Sequence, residues 1–153
     1  MVQVGDIIPN FTLLSDEGKE VSLNDFKGKK IVLYFYPKDL TGGCTIEANN
    51  YRDNFKEFVD NNTVVIGVSK DDVKSHQRFK EKNDLPFVLL SDPDLEMIKY
   101  FDLWQEKKLY GRTYMGTVRS TFILDENLKV IKVNPKASPK EDAKANLEFI
   151  KSL

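Results

Sequence analysis

Cys44 is the only cysteine in the 153-residue chain, and its neighbours suit a reactive thiol. Six apolar, β-branched or aromatic residues, Ile31 to Tyr36, lead to Pro37, a polar loop and the pair Gly42-Gly43. The thiol follows, and a helical pattern runs away from it. Strand, turn and helix in that order put Cys44 at a helix N-terminus, where free N–H groups and partial positive charge favour thiolate over thiol. A free thiol is only about 3% thiolate at pH 7, and a helix terminus plus a cation can make thiolate the main form. A lone cysteine also serves as a small buried hydrophobe. Against that stands its place after a central strand, where open α/β sheets hold their sites.

Other residues around this thiol have two readings each. Thr41 is a loop or capping residue, or a hydroxyl bridging the thiolate and a substrate oxygen. Pro37 ends the strand and can shield the site from water. Gly42 and Gly43 let backbone N–H groups approach a ligand. Arg119 opens an apolar strand far along the chain, which puts its head near a sheet edge or pocket. Arg52, Arg78 and Arg112 are the other arginines, and an isolated surface pair is worth little. Glu47, one turn after Cys44, can orient an arginine or simply favour the helix dipole. Arg52 lies two turns after Cys44 and reads as solvent-exposed. His76, the only histidine, lies between Val73 and Phe79 on a predicted helix and reads as half-buried packing.

The elements that must position these groups alternate. Phe11 and Leu13, then Val21 and Leu23, flank a turn at Asp16-Glu17-Gly18 and predict short N-terminal strands. Ile31–Tyr36 shows no polar alternation and predicts a strand covered on both faces. Ala48, Tyr51, Phe55, Phe58 and Val59 mark one helical face, stopped at Asn61-Asn62. Val64–Val68 predicts a strand, Asp71 a cap for a helix to Lys82, and Phe87–Leu90 a third strand. Asp92-Pro93 reads as a cap and first-turn proline before Leu95, Ile98, Tyr100 and Phe101. Asp102–Thr117 reads as a covering loop. Arg119–Leu124 and Val130–Val133 predict a hairpin. Ser138-Pro139-Lys140-Glu141 reads as a capping box before a helix bearing Ala143, Leu147, Ile150 and Leu153. The expected class is α/β, a mixed central sheet flanked by helices with an N-terminal β extension, in one domain over residues 1–153.

Composition narrows the function. Hydrophobic residues are 41% and charged residues 31%, with net charge −1, so nucleic acid and acidic membrane are not expected partners. The apolar runs are far too short to span a bilayer. The N-terminus lacks signal-peptide features, and one cysteine allows no internal disulfide, so a cytoplasmic setting is expected. One cysteine and one distant histidine make no zinc ligand set. No second cysteine stands at Cys-x-x-Cys spacing, and no Walker or dinucleotide glycine motif is present.

Phe35-Tyr36-Pro37-Lys38-Asp39 through Thr41, Cys44, Thr45, Glu47 and Ala48 resembles the active-site segment of peroxiredoxins, and more narrowly of the bacterioferritin comigratory protein or peroxiredoxin Q branch. Pro9–Leu13, Gly67-Val68-Ser69, Ser75-His76, Leu85-Pro86-Phe87, Leu90-Ser91-Asp92 and Arg119–Phe122 match further landmarks, so the resemblance covers nearly the whole chain. It implies a thioredoxin-like fold and a thiol-dependent peroxidase for hydrogen peroxide and organic hydroperoxides. Cys44 would be the peroxidatic cysteine, passing through a sulfenic acid. Thr41 and Arg119, with the N–H groups of Gly43 and Cys44, would hold the thiolate and polarise the O–O bond. Pro37 would wall the pocket. No metal or other cofactor is implied.

One departure matters. Many members of this branch carry a resolving cysteine five residues after the first, where this chain has Asn49. The sulfenic acid then needs an external thiol: thioredoxin, glutaredoxin or a low-molecular-weight thiol. A monomer or weak homodimer is expected. The rival readings are a thiol transferase and a non-enzymatic thioredoxin-like binding or chaperone module.

Overall fold

The computed structural model describes residues Met1–Leu153. Its strands are β1 (Thr12–Ser15), β2 (Glu20–Ser22), β3 (Lys30–Phe35), β4 (Thr63–Ser69), β5 (Val88–Ser91), β6 (Trp104–Leu109), β7 (Arg112–Thr117), β8 (Ser120–Leu124) and β9 (Val130–Asn134). Its helices are α1 (Gly42–Asp53), α2 (Phe55–Asp60), α3 (Val73–Asn83), α4 (Glu96–Tyr100) and α5 (Asp142–Lys151). Seven strands form one sheet in the order β2-β1-β5-β4-β3-β8-β9. β3, β4 and β5 run parallel, and the other pairings are antiparallel. The N-terminal hairpin β1-β2 extends the β5 edge, as expected.

Strand β3 explains why the sequence there shows no polar alternation. Ile31, Leu33 and Phe35 enter one core layer with Met97 and Ile98 of α4 and Phe101 just after it. Val32, Tyr34 and Tyr36 enter the other, with Cys44, Ala48 and Tyr51 of α1, Phe58 of α2, Phe79 of α3 and Leu147 of α5. The period of two is intact, but both faces are buried. No helix is long and apolar enough to cross a membrane.

Several local expectations are corrected. The helical face after Cys44 is split at Asn54 into α1 and α2, and Val59 is exposed. The cap of α3 is Asp72, whose side chain accepts from the Ser75 N–H at 2.8 Å. Asp71 is turned instead to the Asp39 N–H and the Ser69 hydroxyl. The N-cap position of α4 is Leu95 rather than Asp92, although the Asp92 carboxylate accepts from the N–H groups of Glu96 and Ile98; Pro93 lies in the preceding turn and Tyr100 is exposed. Ser138–Glu141 forms a turn before α5 rather than a capping box, with the Asp142 N–H bonded to the Ser138 carbonyl, and Leu153 is exposed.

The largest difference is Asp102–Thr117, which holds the separate two-stranded sheet β6-β7. Tyr110 and Gly111 both have positive φ at its tip (51° and 77°), the geometry of a two-residue hairpin turn. Most of its side chains face solvent on both sides, so no apolar period marks it.

Candidate active site

Register brings the site together. β8 pairs antiparallel with β3, and Ser120 lies opposite Phe35. Arg119 therefore sits beside the strand end from which Pro37–Thr41 leads to Cys44. The two residues are 75 apart in sequence, yet Arg119 Nη2 donates to Cys44 Sγ at 3.4 Å.

Cys44 is buried, at the third position of α1. The first helical bond on this turn runs from the Thr45 N–H to the Thr41 carbonyl at 2.9 Å. The amides of Gly42, Gly43 and Cys44 precede the hydrogen-bond ladder and have no partner within the helix. The sulfur thus faces a guanidinium and a positive helix end, the setting in which a thiolate acts as nucleophile.

Glu47 fixes that guanidinium. Its Oε1 accepts from Arg119 Nη1 at 2.8 Å, and its side chain is fully buried. Burial, then the charge of nearby Asp142, push the Glu47 carboxyl well above its usual range, against the pull of Arg119. Glu47 Oε2 has no donor partner. Asp142 is itself held by Tyr51 and Thr121, whose hydroxyls each donate to it at 2.6 Å. Glu47 thereby holds Arg119 beside the polar layer between α1 and α5.

The other expected residues divide. Gly43 is packed under Arg119: a Cβ there would lie 3.1 Å from Nη2 and 3.4 Å from Pro139 Cγ. A Cβ at Gly42 would meet nothing within 4 Å. Gly43→Ala must therefore displace the guanidinium by a few tenths of an ångström. The expected result is a roughly tenfold slower reaction of Cys44 with peroxide, without loss of fold, checked by stopped-flow fluorescence and a melting curve. Thr41 is the N-cap residue, but its hydroxyl donates to the Lys38 carbonyl at 2.8 Å and is not bonded to Cys44. Pro37 is half-buried in a cleft shared with Lys107 and Thr117. Arg52 turns away to Asp53 and the Asn83 carbonyl. Asn49 lies on the intact α1, half-buried, with Oδ1 buried and unpartnered. Helical residues five apart have Cα atoms about 8–9 Å apart, beyond disulfide reach. A thiol at position 49 would meet Cys44 only if the helix unwound.

His76 departs from its expected role. It is fully buried and bonded through both ring nitrogens, Nδ1 to Asp39 Oδ2 at 2.7 Å and Nε2 to the Leu90 carbonyl at 2.9 Å. Asp39 also accepts from the Tyr36 hydroxyl at 2.6 Å and the Ser75 hydroxyl at 2.8 Å. This cluster clamps the loop that delivers Cys44. Sequence spacing gave no warning, because Asp39 and His76 meet across two elements. Lys107 of β6 was likewise missed. Burial and then the Arg119 charge pull its ammonium below the usual range, while the Cys44 charge holds it up.

Known proteins resemble this chain in sequence and in fold. Residues 4–133 match the AhpC/TSA family, and the chain belongs to it: a thioredoxin-fold, thiol-dependent peroxidase. Within that family it falls on the Bcp and peroxiredoxin Q branch. It is 43% identical to peroxiredoxin Bcp of Bacillus subtilis (strain 168) over 152 residues, 99% of this chain and 97% of that protein. PrxQ of Xylella fastidiosa superposes with a TM-score of 0.95 at 31% identity, covering 99% of this chain and 97% of the other. The bacterioferritin comigratory protein of Xanthomonas campestris, described for its alkyl peroxide reduction activity, gives a TM-score of 0.88 at 35% identity over 93% of this chain and 90% of that one.

Proposed function

We propose that Cys44 is the peroxidatic cysteine of a one-cysteine cycle that reduces hydrogen peroxide and organic hydroperoxides. The observation that carries this is the Arg119 guanidinium, 3.4 Å from Cys44 Sγ and locked by Glu47. The thiolate attacks one peroxide oxygen, an S–O bond forms and the O–O bond breaks. The second oxygen leaves as water or alcohol after taking a proton. Arg119 and the amides of Gly43 and Cys44 stabilise the charge that develops on the departing oxygen. Thr41 serves the same oxygen once its hydroxyl turns from Lys38, and Pro37 limits water. The resulting sulfenic acid has no second cysteine in this chain to condense with, so an external thiol (thioredoxin, glutaredoxin or a small thiol) returns it to Cys44. The enzyme works as a single domain over residues 1–153, as a monomer or weak homodimer, in a cytoplasm, and its cycle uses no cofactor.

Stopped-flow mixing of reduced protein with hydrogen peroxide tests the reading. Oxidation far faster than that of a free thiol is expected, and abolished in Cys44→Ser. Intact mass should show the gain of one oxygen, then, in excess peroxide, a second that thiols do not reverse. Oxidation at the rate of a free thiol would return the assignment to a thiol transferase or binding module.

A further inference from the structure

Two clefts meet at Lys107, and together they are lined by five cationic side chains and no carboxylate. The larger, about 560 Å³, holds Lys107, Arg119 and Lys136 over an apolar floor that includes Leu103 and Val118. The smaller, about 180 Å³, holds Lys38, Lys70 and Lys107 beside Pro37. The whole chain carries 24 acidic and 23 basic residues, so this segregation is local. Arg119 is paired with Glu47, but Lys38, Lys70, Lys107 and Lys136 take part in no ion pair.

Packing positions Lys107 and Lys70. A Cβ at Gly116 would lie 3.2 Å from Lys107 Cδ, so the bare backbone of β7 makes room for the Lys107 stem. Lys70 Nζ stands 5.8 Å from the Trp104 ring centroid, in cation–π range. The chain carrying Lys136 is pinned by the Ala137 N–H to the Arg119 carbonyl at 2.9 Å. Glu106, the hairpin's one acid, alternates to the opposite face from Lys107.

Hydrogen peroxide is neutral and needs neither volume nor cations of this kind. The second half of a one-cysteine cycle does need a docking place for the reductant. We infer that the clefts on either side of Lys107 bind a carboxylate-bearing low-molecular-weight thiol, held by unpaired lysines with its sulfur directed to Cys44. The inference rests on the one-cysteine cycle proposed above. In it, Cys44–SOH and RSH give Cys44–S–SR and water: the S–S bond forms, the S–O bond breaks, and the thiol proton leaves with the oxygen. A second RSH then releases Cys44–SH and RSSR. Each thiol supplies one electron, and the two reduce the sulfur.

Glutathione and its diethyl ester share one thiol and differ in carboxylate charge. The protein is first oxidised with one equivalent of peroxide and its sulfenic acid is quantified with dimedone. Failure at this stage refutes the cycle rather than the binding site. Each thiol is then mixed with the oxidised protein, its rate being scaled to its reaction with a small disulfide. Glutathione is expected to react on the order of tenfold faster than the ester at low salt, with the advantage shrinking as salt rises. It should collapse in Lys107→Gln/Lys136→Gln. Equal scaled rates would overturn the inference, as would reduction by thioredoxin alone. A parallel arm oxidises the reduced protein with a carboxylate-bearing hydroperoxide and its methyl ester. Charge discrimination in that arm, and none between the two thiols, would overturn it in favour of an anionic peroxide.

Discussion

Arg119→Met is expected to slow the oxidation of Cys44 by hydrogen peroxide about 10²–10³-fold, the usual cost of removing one preorganised donor from a developing oxyanion. The single guanidinium performs two tasks at once. Nη2 faces the sulfur at 3.4 Å and Nη1 holds Glu47 at 2.8 Å. Methionine keeps most of the length and the apolar stem but supplies no charge. Glu47 would lose its cation while fully buried. Its carboxyl is already pushed up by burial and Asp142, so it accommodates the loss by holding a proton. The stability cost should then be about 1–3 kcal/mol, that of an orphaned buried group rather than of an isolated buried charge. Arg119→Lys separates charge from geometry: one ammonium cannot serve sulfur and carboxylate along two fixed directions. Its rate should fall between wild type and Arg119→Met. Stopped-flow traces over a peroxide series, with urea melts of the same preparations, give both numbers. A methionine variant within threefold of wild type would remove Arg119 from the chemistry.

The parts of this site that were legible in the sequence are those with local causes. Ile31–Tyr36 announced a strand covered on both faces because nothing polar interrupts it. Gly42-Gly43-Cys44 announced a helix start because strand, turn and helix follow one another in the chain. Arg119 stood out through the apolar strand behind it, but its partner at Cys44 depends on the pairing of Ser120 with Phe35, which one sequence does not encode locally. The β6-β7 hairpin was illegible for a different reason. Its strands bury little, so selection for a hydrophobic face is absent and Lys, Tyr and Thr alternate without pattern. The tip is a Tyr-Gly turn, weaker as a signal than Asn-Gly. With the hairpin went the position of Lys107 and the lysine-lined clefts. His76 was misjudged because burial of a histidine is set by what lies across from it. Val73 and Phe79 suggested packing, whereas the deciding neighbours are Asp39 and the Leu90 carbonyl.

His76→Ala is expected to destabilise the fold by about 3–5 kcal/mol, the range for removing one partner of a buried ion pair. Both ring nitrogens face acceptors, the Asp39 carboxylate and the Leu90 carbonyl, an arrangement that favours the imidazolium, in which both nitrogens donate. Burial alone would pull that charge down. The hydrogen bond and charge of Asp39 outweigh it, helped by the Leu90 carbonyl and Asp71, and the pKa of His76 is raised. The sign of the pH effect follows. A raised folded pKa contributes stability that is fully present below the unfolded value, about 6.5, and is lost as pH rises through the folded pKa. Wild type should therefore lose stability across that window on the alkaline side, and His76→Ala should lack that component. Alanine also leaves Asp39 with the Tyr36 and Ser75 hydroxyls but no cation. The loop from Pro37 to Thr41 contains Leu40 at a φ of 62°, a left-handed conformation costing roughly 1–2 kcal/mol in a residue with a Cβ. Asp39, the residue before Leu40, is anchored by the clamp. Its release lets the loop relax and the start of α1 shift, so Cys44 should also react more slowly in the alanine variant at a pH where it remains folded. His76→Gln, which returns an N–H donor without the charge, should recover part of the rate but not the pH-dependent stability. Urea melts across the pH series and peroxide stopped-flow on the same variants separate the two effects. Equal stability–pH profiles for wild type and His76→Ala would show that the ring is not charged in the folded protein.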